Sequence, residues 1–219
     1  MSDAKSDAKS PLTHAQQARR DRIVDAGLAL LAARDYDKIQ VKDVAEEANV
    51  ALGTLYHYFS SKEHLFAEVL VRWAGTLRTN ISRHPLRGTT DTQRLTQVIN
   101  RSVRAFQRQP SLARLVATLE TSADPFATEI LARLAHTTND IYLEAIHDVD
   151  RDTAHRIVSV VDAVLASRLR SWVAGRSSIT AVTDDLADAI SLLLDPGSRL
   201  SEVRHSEVRR SEVRQTARS

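Results

Sequence analysis

The richest run of polar and aromatic donors in the 219-residue chain lies between Thr54 and Lys62. Thr54, Tyr56, His57, Tyr58 and Lys62 bring together alcohol, phenol, imidazole and ammonium groups, the set that meets phosphate oxygens and base edges. Just ahead of them Ala51, Leu52 and Gly53 are small or apolar, and small residues at a helix start let a backbone approach DNA closely. Arg19, Arg20 and Lys42 are further cations within reach of the same chemistry. A second constellation, Asp140, Glu144 and His147 at offsets 0, 4 and 7, has the spacing of one helix face and invites a metal. Bundle di-iron sites need two Glu-x-x-His pairs, and Glu144–His147 has no second. A solvated polar face accounts for it better. With 0 Cys and no His-Glu-x-x-His, P-loop or dinucleotide glycine pattern, no catalytic residue, metal or cofactor is expected.

The donors need a scaffold, and the surrounding pattern is helical throughout. Residues 15–33 place Ile23, Ala26, Gly27, Leu30 and Leu31 on one face of a helix. Val41–Ala48 and Leu52–Tyr58 read as two short helices separated by Asn49-Val50-Ala51. Val44, Ala45 and Ala48 form a small apolar face, with Val50 and Leu55 packing across the turn. This is the arrangement of a helix-turn-helix, whose second helix enters the major groove. Lys62 to about Arg83 predicts a longer helix ending before Pro85. Asp91 predicts a cap for a helix that Pro110 terminates, Ser111 the cap of the next, and Asp124-Pro125 the start of one running to about Val149. Asp150 or Asp152 opens a long helix to Ala174, stopped by Gly175, and the last runs from about Thr180 to Asp195. No period-two segment of useful length appears, so the fold class is all-α.

Composition bounds the rest. Hydrophobic residues at 42% and charged residues at 26% fit a globular protein, and 6 Gly with 5 Pro leave few helix breaks. No apolar run approaches a membrane span and no secretory leader is visible, so a cytoplasmic location and no membrane partner are expected. Net charge is +2, but residues 1–62 net zero, 63–195 net −1 and 196–219 net +3. The basic excess therefore sits in a tail of three SEVR repeats, opposite an N-terminal tail with two SDAK repeats. Both tails read as disordered, and nucleic-acid binding must come from local placement of charge.

The run Ala48-Asn49-Val50-Ala51-Leu52-Gly53-Thr54-Leu55-Tyr56-His57-Tyr58-Phe59, continued by Ser60-Ser61-Lys62-Glu63-His64-Leu65, resembles the TetR family of transcriptional regulators. The resemblance implies that Thr54, Tyr56, Tyr58 and Lys62 contact double-stranded operator DNA, with Leu52, Gly53 and His57 nearby, and that Phe59 and Leu65 lock this module to the next helix. Two departures stand out: Ala51 replaces a common Ser, and Gln40 replaces a common Thr or Ser cap. The implied organisation is an N-terminal tail over 1–14, a DNA-binding domain over 15–67, an effector-binding and dimerisation domain over 68–195, and a tail over 196–219. Two apolar stripes, Ile157, Val161, Val164, Leu165 and Trp172 followed by Leu186, Ile190 and Leu193, either pair with their copies in a homodimer or fill the monomer core. A small-molecule effector would be lined by some subset of Trp73, Leu77, Phe106, Leu115, Leu119, Phe126, Ile130, Leu134 and Tyr142. Arg108–Leu112 and Arg168–Leu194 are similar to the KstR branch of steroid-catabolism repressors, which implies a hydrophobic acyl or steroid-type effector such as a CoA thioester. The competing classes are a helical metal-dependent enzyme and a helical interaction protein without DNA affinity.

Overall fold

The computed structural model describes residues 12–195. The SDAK and SEVR repeats expected to form disordered tails lie outside the described residues. Among the described residues every regular element is helical: α1 (His14–Ala33), α2 (Val41–Glu47), α3 (Leu52–Tyr58), α4 (Lys62–Ser82), α5 (Asp91–Arg108), α6 (Pro110–Leu119), α7 (Pro125–Leu143), α8 (Arg151–Val173) and α9 (Ile179–Leu194), with a 3-10 turn at Tyr36–Lys38.

Helix starts follow local capping chemistry. Thr13 and Gln16 form a reciprocal capping box, the Gln16 side chain accepting the Thr13 N–H at 2.8 Å, so α1 begins inside the stretch expected to be tail. Asp124, Asp150 and Ser178 cap α7, α8 and α9, and Gly175 takes a φ of 71° just past the end of α8. Two expected caps do other work. Thr90 caps α5, while Asp91 turns inward, accepts N–H groups from His147 and Asp148 at 2.8 Å each, and pairs with Arg94. Burial pushes its carboxyl up, but those donors more than offset it and hold it below the usual range. Pro110 starts α6 instead of merely ending α5, because a first-turn residue needs no N–H partner. The Ser111 hydroxyl is thereby freed to donate to Leu31 O at 2.7 Å, tying α6 to the end of α1. Helix α7 ends at Leu143, six residues before the expected Val149, and the turn that follows buries Ala145 and Ile146. Asp140, Glu144 and His147 therefore do not share a helix face, and no group of metal-ligating residues forms among the described residues.

Two hydrophobic cores result. The first joins α1 to α4 with α6 and the start of α7; the second joins α5, α8 and α9 with the end of α7. Phe106 packs against both. Helices α1 and α4 cross closely at Gly27, where a Cβ would stand 2.9 Å from Val69 Cγ2. On the outer side of that crossing, Arg72 reaches Asp21 at 2.7 Å and Asp25 at 2.9 Å.

Candidate nucleic-acid interface and effector cavity

The α2–α3 unit is built as its sequence pattern predicts. Val44, Ala45, Ala48 and Leu55 are buried and Val50 is half-buried between them. Asn49 adopts a φ of 52°, a left-handed conformation that asparagine tolerates better than most residues. This turns the chain so that the Val50 N–H donates to Ala45 O at 2.9 Å. At the start of α2 the Asp43 carboxylate accepts the Gln40 N–H at 2.9 Å.

Helix α3 sits on this turn with its apolar side inward and a mixed surface outward. Ala51, Leu52, Gly53, Tyr56 and His57 are exposed, Leu52 at 43% and Tyr56 at 50%, while Thr54, Tyr58 and Lys62 are half-buried. A Cβ added to Gly53 would meet nothing within 4 Å, so the fold itself makes no demand for glycine there. A glycine inside a helix costs about 0.5–1 kcal/mol relative to alanine. The exposed position thus carries a local cost that no internal contact returns.

Behind α3 the module is locked. Phe59 has no exposure; the Arg20 guanidinium lies 5.3 Å over its ring and His64 meets it edge-on at 5.5 Å. Arg20 also pairs with Glu68 at 2.6 Å, so this cation clamps α1 to α4. Lys62 donates to Tyr36 O at 2.7 Å and lies 3.9 Å from the centre of the Tyr36 ring. Burial lowers its ammonium pKa, against the opposing pull of Asp37 and Glu63. Tyr36, which packs edge-on against Phe66, is an organiser that the linear pattern does not mark. Of the remaining expected cations, Arg19 and Lys42 are exposed.

Relatives place this geometry. The sequence profile of the bacterial regulatory proteins of the tetR family matches residues 23–69, and that of the tetracyclin repressor-like C-terminal domain matches residues 88–193. The HTH-type transcriptional repressor KstR of Rhodococcus jostii (strain RHA1) is 33% identical over 191 residues, covering 87% of this chain and 89% of the relative. KstR of Mycolicibacterium smegmatis is 34% identical over 183 residues, covering 83% and 90%. The chain belongs to the TetR family of bacterial regulatory proteins. The crystal structure of a TetR transcriptional regulator from Rhodococcus sp. RHA1 shares the fold, with a TM-score of 0.73 at 24% identity over 84% of this chain and all of that one. Members of this family are DNA-binding transcriptional regulators, not enzymes.

In this TetR-family member a cavity of about 160 Å³ lies where the two cores meet, bounded by α4 to α8. Five expected effector residues line it: Trp73, Leu77, Phe106, Leu134 and Tyr142. Trp73 and Phe106 pack with ring centres 4.7 Å apart. Four do not. Leu115, Leu119 and Ile130 are buried in the first core, and Phe126 stacks on His64 at 4.9 Å beside the reading head. The α7 stripe runs past the cavity in both directions, which spacing along one helix cannot reveal. Pattern reading also missed Glu120 and Asp162, two acids on the cavity wall. Glu120 follows the end of α6 and Asp162 lies on α8, and neither carries a local signal that marks it before its apolar surroundings are known.

The expected pairing positions divide as well. Ile157, Val161, Leu165, Leu186 and Ile190 are buried within the single chain, where α8 and α9 pack on α5, α7 and each other. Val164, Trp172 and Leu193 are half-buried, and the large apolar residues those helices leave exposed are Val160 at 47% and Leu192 at 58%. Five of the eight positions read for a partner fill the monomer, and the other three keep partial exposure. No helix among the described residues is long and apolar enough to cross a membrane.

Proposed function

We propose that this TetR-family regulator is a homodimeric, cytoplasmic repressor released from its operator by a small hydrophobic effector in the cavity between its cores. Residues 15–67 act as the reading unit and 68–195 as the effector and dimer unit. Ala51, Leu52, Gly53, Thr54, Tyr56, His57 and Tyr58 face the major groove and flanking backbone. Arg19, Lys42 and Lys62 supply phosphate donors, Lys62 keeping two of its three N–H groups beyond the one given to Tyr36. Arg20 contributes through the Glu68 clamp. The observation that carries the reading is the exposed start of α3, where Leu52, Gly53 and Tyr56 present an apolar and aromatic surface that no element among the described residues covers. Dimerisation falls to the faces of α8 and α9 around Val160, Val164 and Leu192, which sets two α3 helices against half-sites about one DNA turn, or a multiple of it, apart.

Release follows from shared elements. Helix α4 starts at the reading head and carries Trp73 and Leu77 to the cavity. Helix α7 stacks Phe126 on His64 at the head and lines the cavity with Leu134 and Tyr142. Ligand that binds better when these helices are displaced shifts the population away from the DNA-competent spacing. The likeness to KstR points to acyl or steroid-type compounds, including CoA thioesters, as the class to screen. The test is fluorescence anisotropy of the protein on its own upstream DNA, titrated with that class. A member that releases the DNA at saturation is expected; DNA affinity unchanged by every saturating ligand of the cavity excludes induction.

A further inference from the structure

The cavity wall is apolar except for the Trp73 indole N–H and a few hydroxyl and carboxyl groups, and all but one of those hydroxyl and carboxyl groups are already engaged. The Ser102 hydroxyl donates to Val98 O at 3.3 Å and accepts from the Tyr142 hydroxyl at 3.3 Å. Thr138 donates to Leu134 O at 2.9 Å. Glu120 is paired with Arg170. Asp162 alone among these hydroxyl and carboxyl groups has no hydrogen bond or ion pair with any described residue, and Glu120 is the charged neighbour that acts on it. Burial, and then the Glu120 charge, push its carboxyl above the usual range. Asp162 is half-buried, and an unpartnered carboxyl held largely among apolar groups carries a cost that Leu165 and Leu169, aliphatic residues on the same face of α8, do not.

We propose that the ligand of this cavity carries a hydroxyl on an apolar body and that Asp162 is the residue that meets it. This rests on the effector reading of the cavity and specifies the ligand chemistry within it. A hydroxyl is both donor and acceptor, so it satisfies a carboxylate by donating and a protonated carboxyl by accepting or donating. An ammonium suits the carboxylate alone, and a ketone suits the protonated form alone. Of these three groups the hydroxyl alone loses nothing when the carboxyl changes state.

Four probes of one rigid shape separate these chemistries: 2-decalol, 2-decalone, 2-decalylamine and decalin. Each is titrated into the full-length protein with intrinsic fluorescence as readout, since Trp73 lines the cavity. The alcohol is expected to bind about tenfold or more tighter than decalin, the scale of one hydrogen bond to a half-buried acid. Asp162→Leu should erase that preference while keeping decalin binding. If Asp162→Leu does not fold, Asp162→Ala, which removes the carboxyl without filling the wall, should likewise lose the preference. An alcohol no tighter than decalin, a preference that persists in Asp162→Leu or Asp162→Ala, or an amine tighter than the alcohol overturns the assignment and leaves the effector cavity standing. Failure of all four probes to bind overturns both.

Discussion

Around Phe59 the interior is filled. Leu55, Phe59, Leu65 and Phe66 have no solvent exposure, and Arg20 and His64 close over the Phe59 ring. Where the two cores meet it is not filled, and Trp73, Phe106, Leu134 and Tyr142 surround open volume with an unpartnered acid on the wall. The two regions share α4 and α7, yet they are packed for different ends. A close-packed head holds the α3 surface in one geometry, as a reader of base edges requires. An unfilled seam forgoes packing energy and leaves α4 and α7 room to shift. Close packing sits at the helix-turn-helix end and open volume between the two cores.

Substitutions that remove packing should separate the regions most clearly. Phe59→Ala empties a fully buried site and should cost about 3–5 kcal/mol in urea unfolding; a loss below about 1 kcal/mol would show that the head is not close-packed. Asp91→Ala, in the body, strips two N–H groups and Arg94 of their acceptor and should cost about 3 kcal/mol near neutral pH. The folded carboxyl lies below its ordinary value, so its contribution is full above about pH 4 and is lost as pH falls through the folded pKa. The difference between native and Asp91→Ala stability should therefore shrink in acid, and a constant difference would contradict the assigned partners. Leu77→Ala enlarges a wall that already faces a void and should cost only about 1–2 kcal/mol. A loss equal to that of Phe59→Ala would mean the seam is as tightly packed as the head. The smallest effect has the opposite sign: Gly53→Ala should stabilise the chain by about 0.5–1 kcal/mol while weakening operator binding. Stabilisation with unchanged DNA affinity would remove the functional account of that glycine.

The same contrast explains what could be read from the chain. The reading surface comes from consecutive residues, so its donors, its turn at Asn49 and its buried Leu55 follow from local order. Helix ends were legible wherever capping chemistry was local, as at Asp124 and Asp150. Asp91 and Ser111 look like caps in the chain but bond to His147, Asp148 and Leu31, partners 56, 57 and 80 residues away. The cavity draws on five helices, so the stripes of α7 and α8 could not reveal which residues line a void, which fill a core and which meet another chain. Phe126, Ile130 and Leu134 share a helix, yet Phe126 stacks on His64, Ile130 fills the first core and Leu134 lines the cavity. Asp162 stands out only when its surroundings are known to be apolar.

The central claim is that the exposed surface of α3 reads DNA. The most direct measurement is an anisotropy titration of the protein's own upstream DNA with the native chain and with Leu52→Ala/Tyr56→Ala, at fixed salt and with melting temperatures measured alongside. Both side chains are exposed, so the variant should melt within a few degrees of native. The account predicts that its specific affinity falls by about thirtyfold or more while nonspecific binding persists, because base-facing contacts specify and phosphate contacts only position. Native-like specific affinity in a folded Leu52→Ala/Tyr56→Ala protein would contradict it.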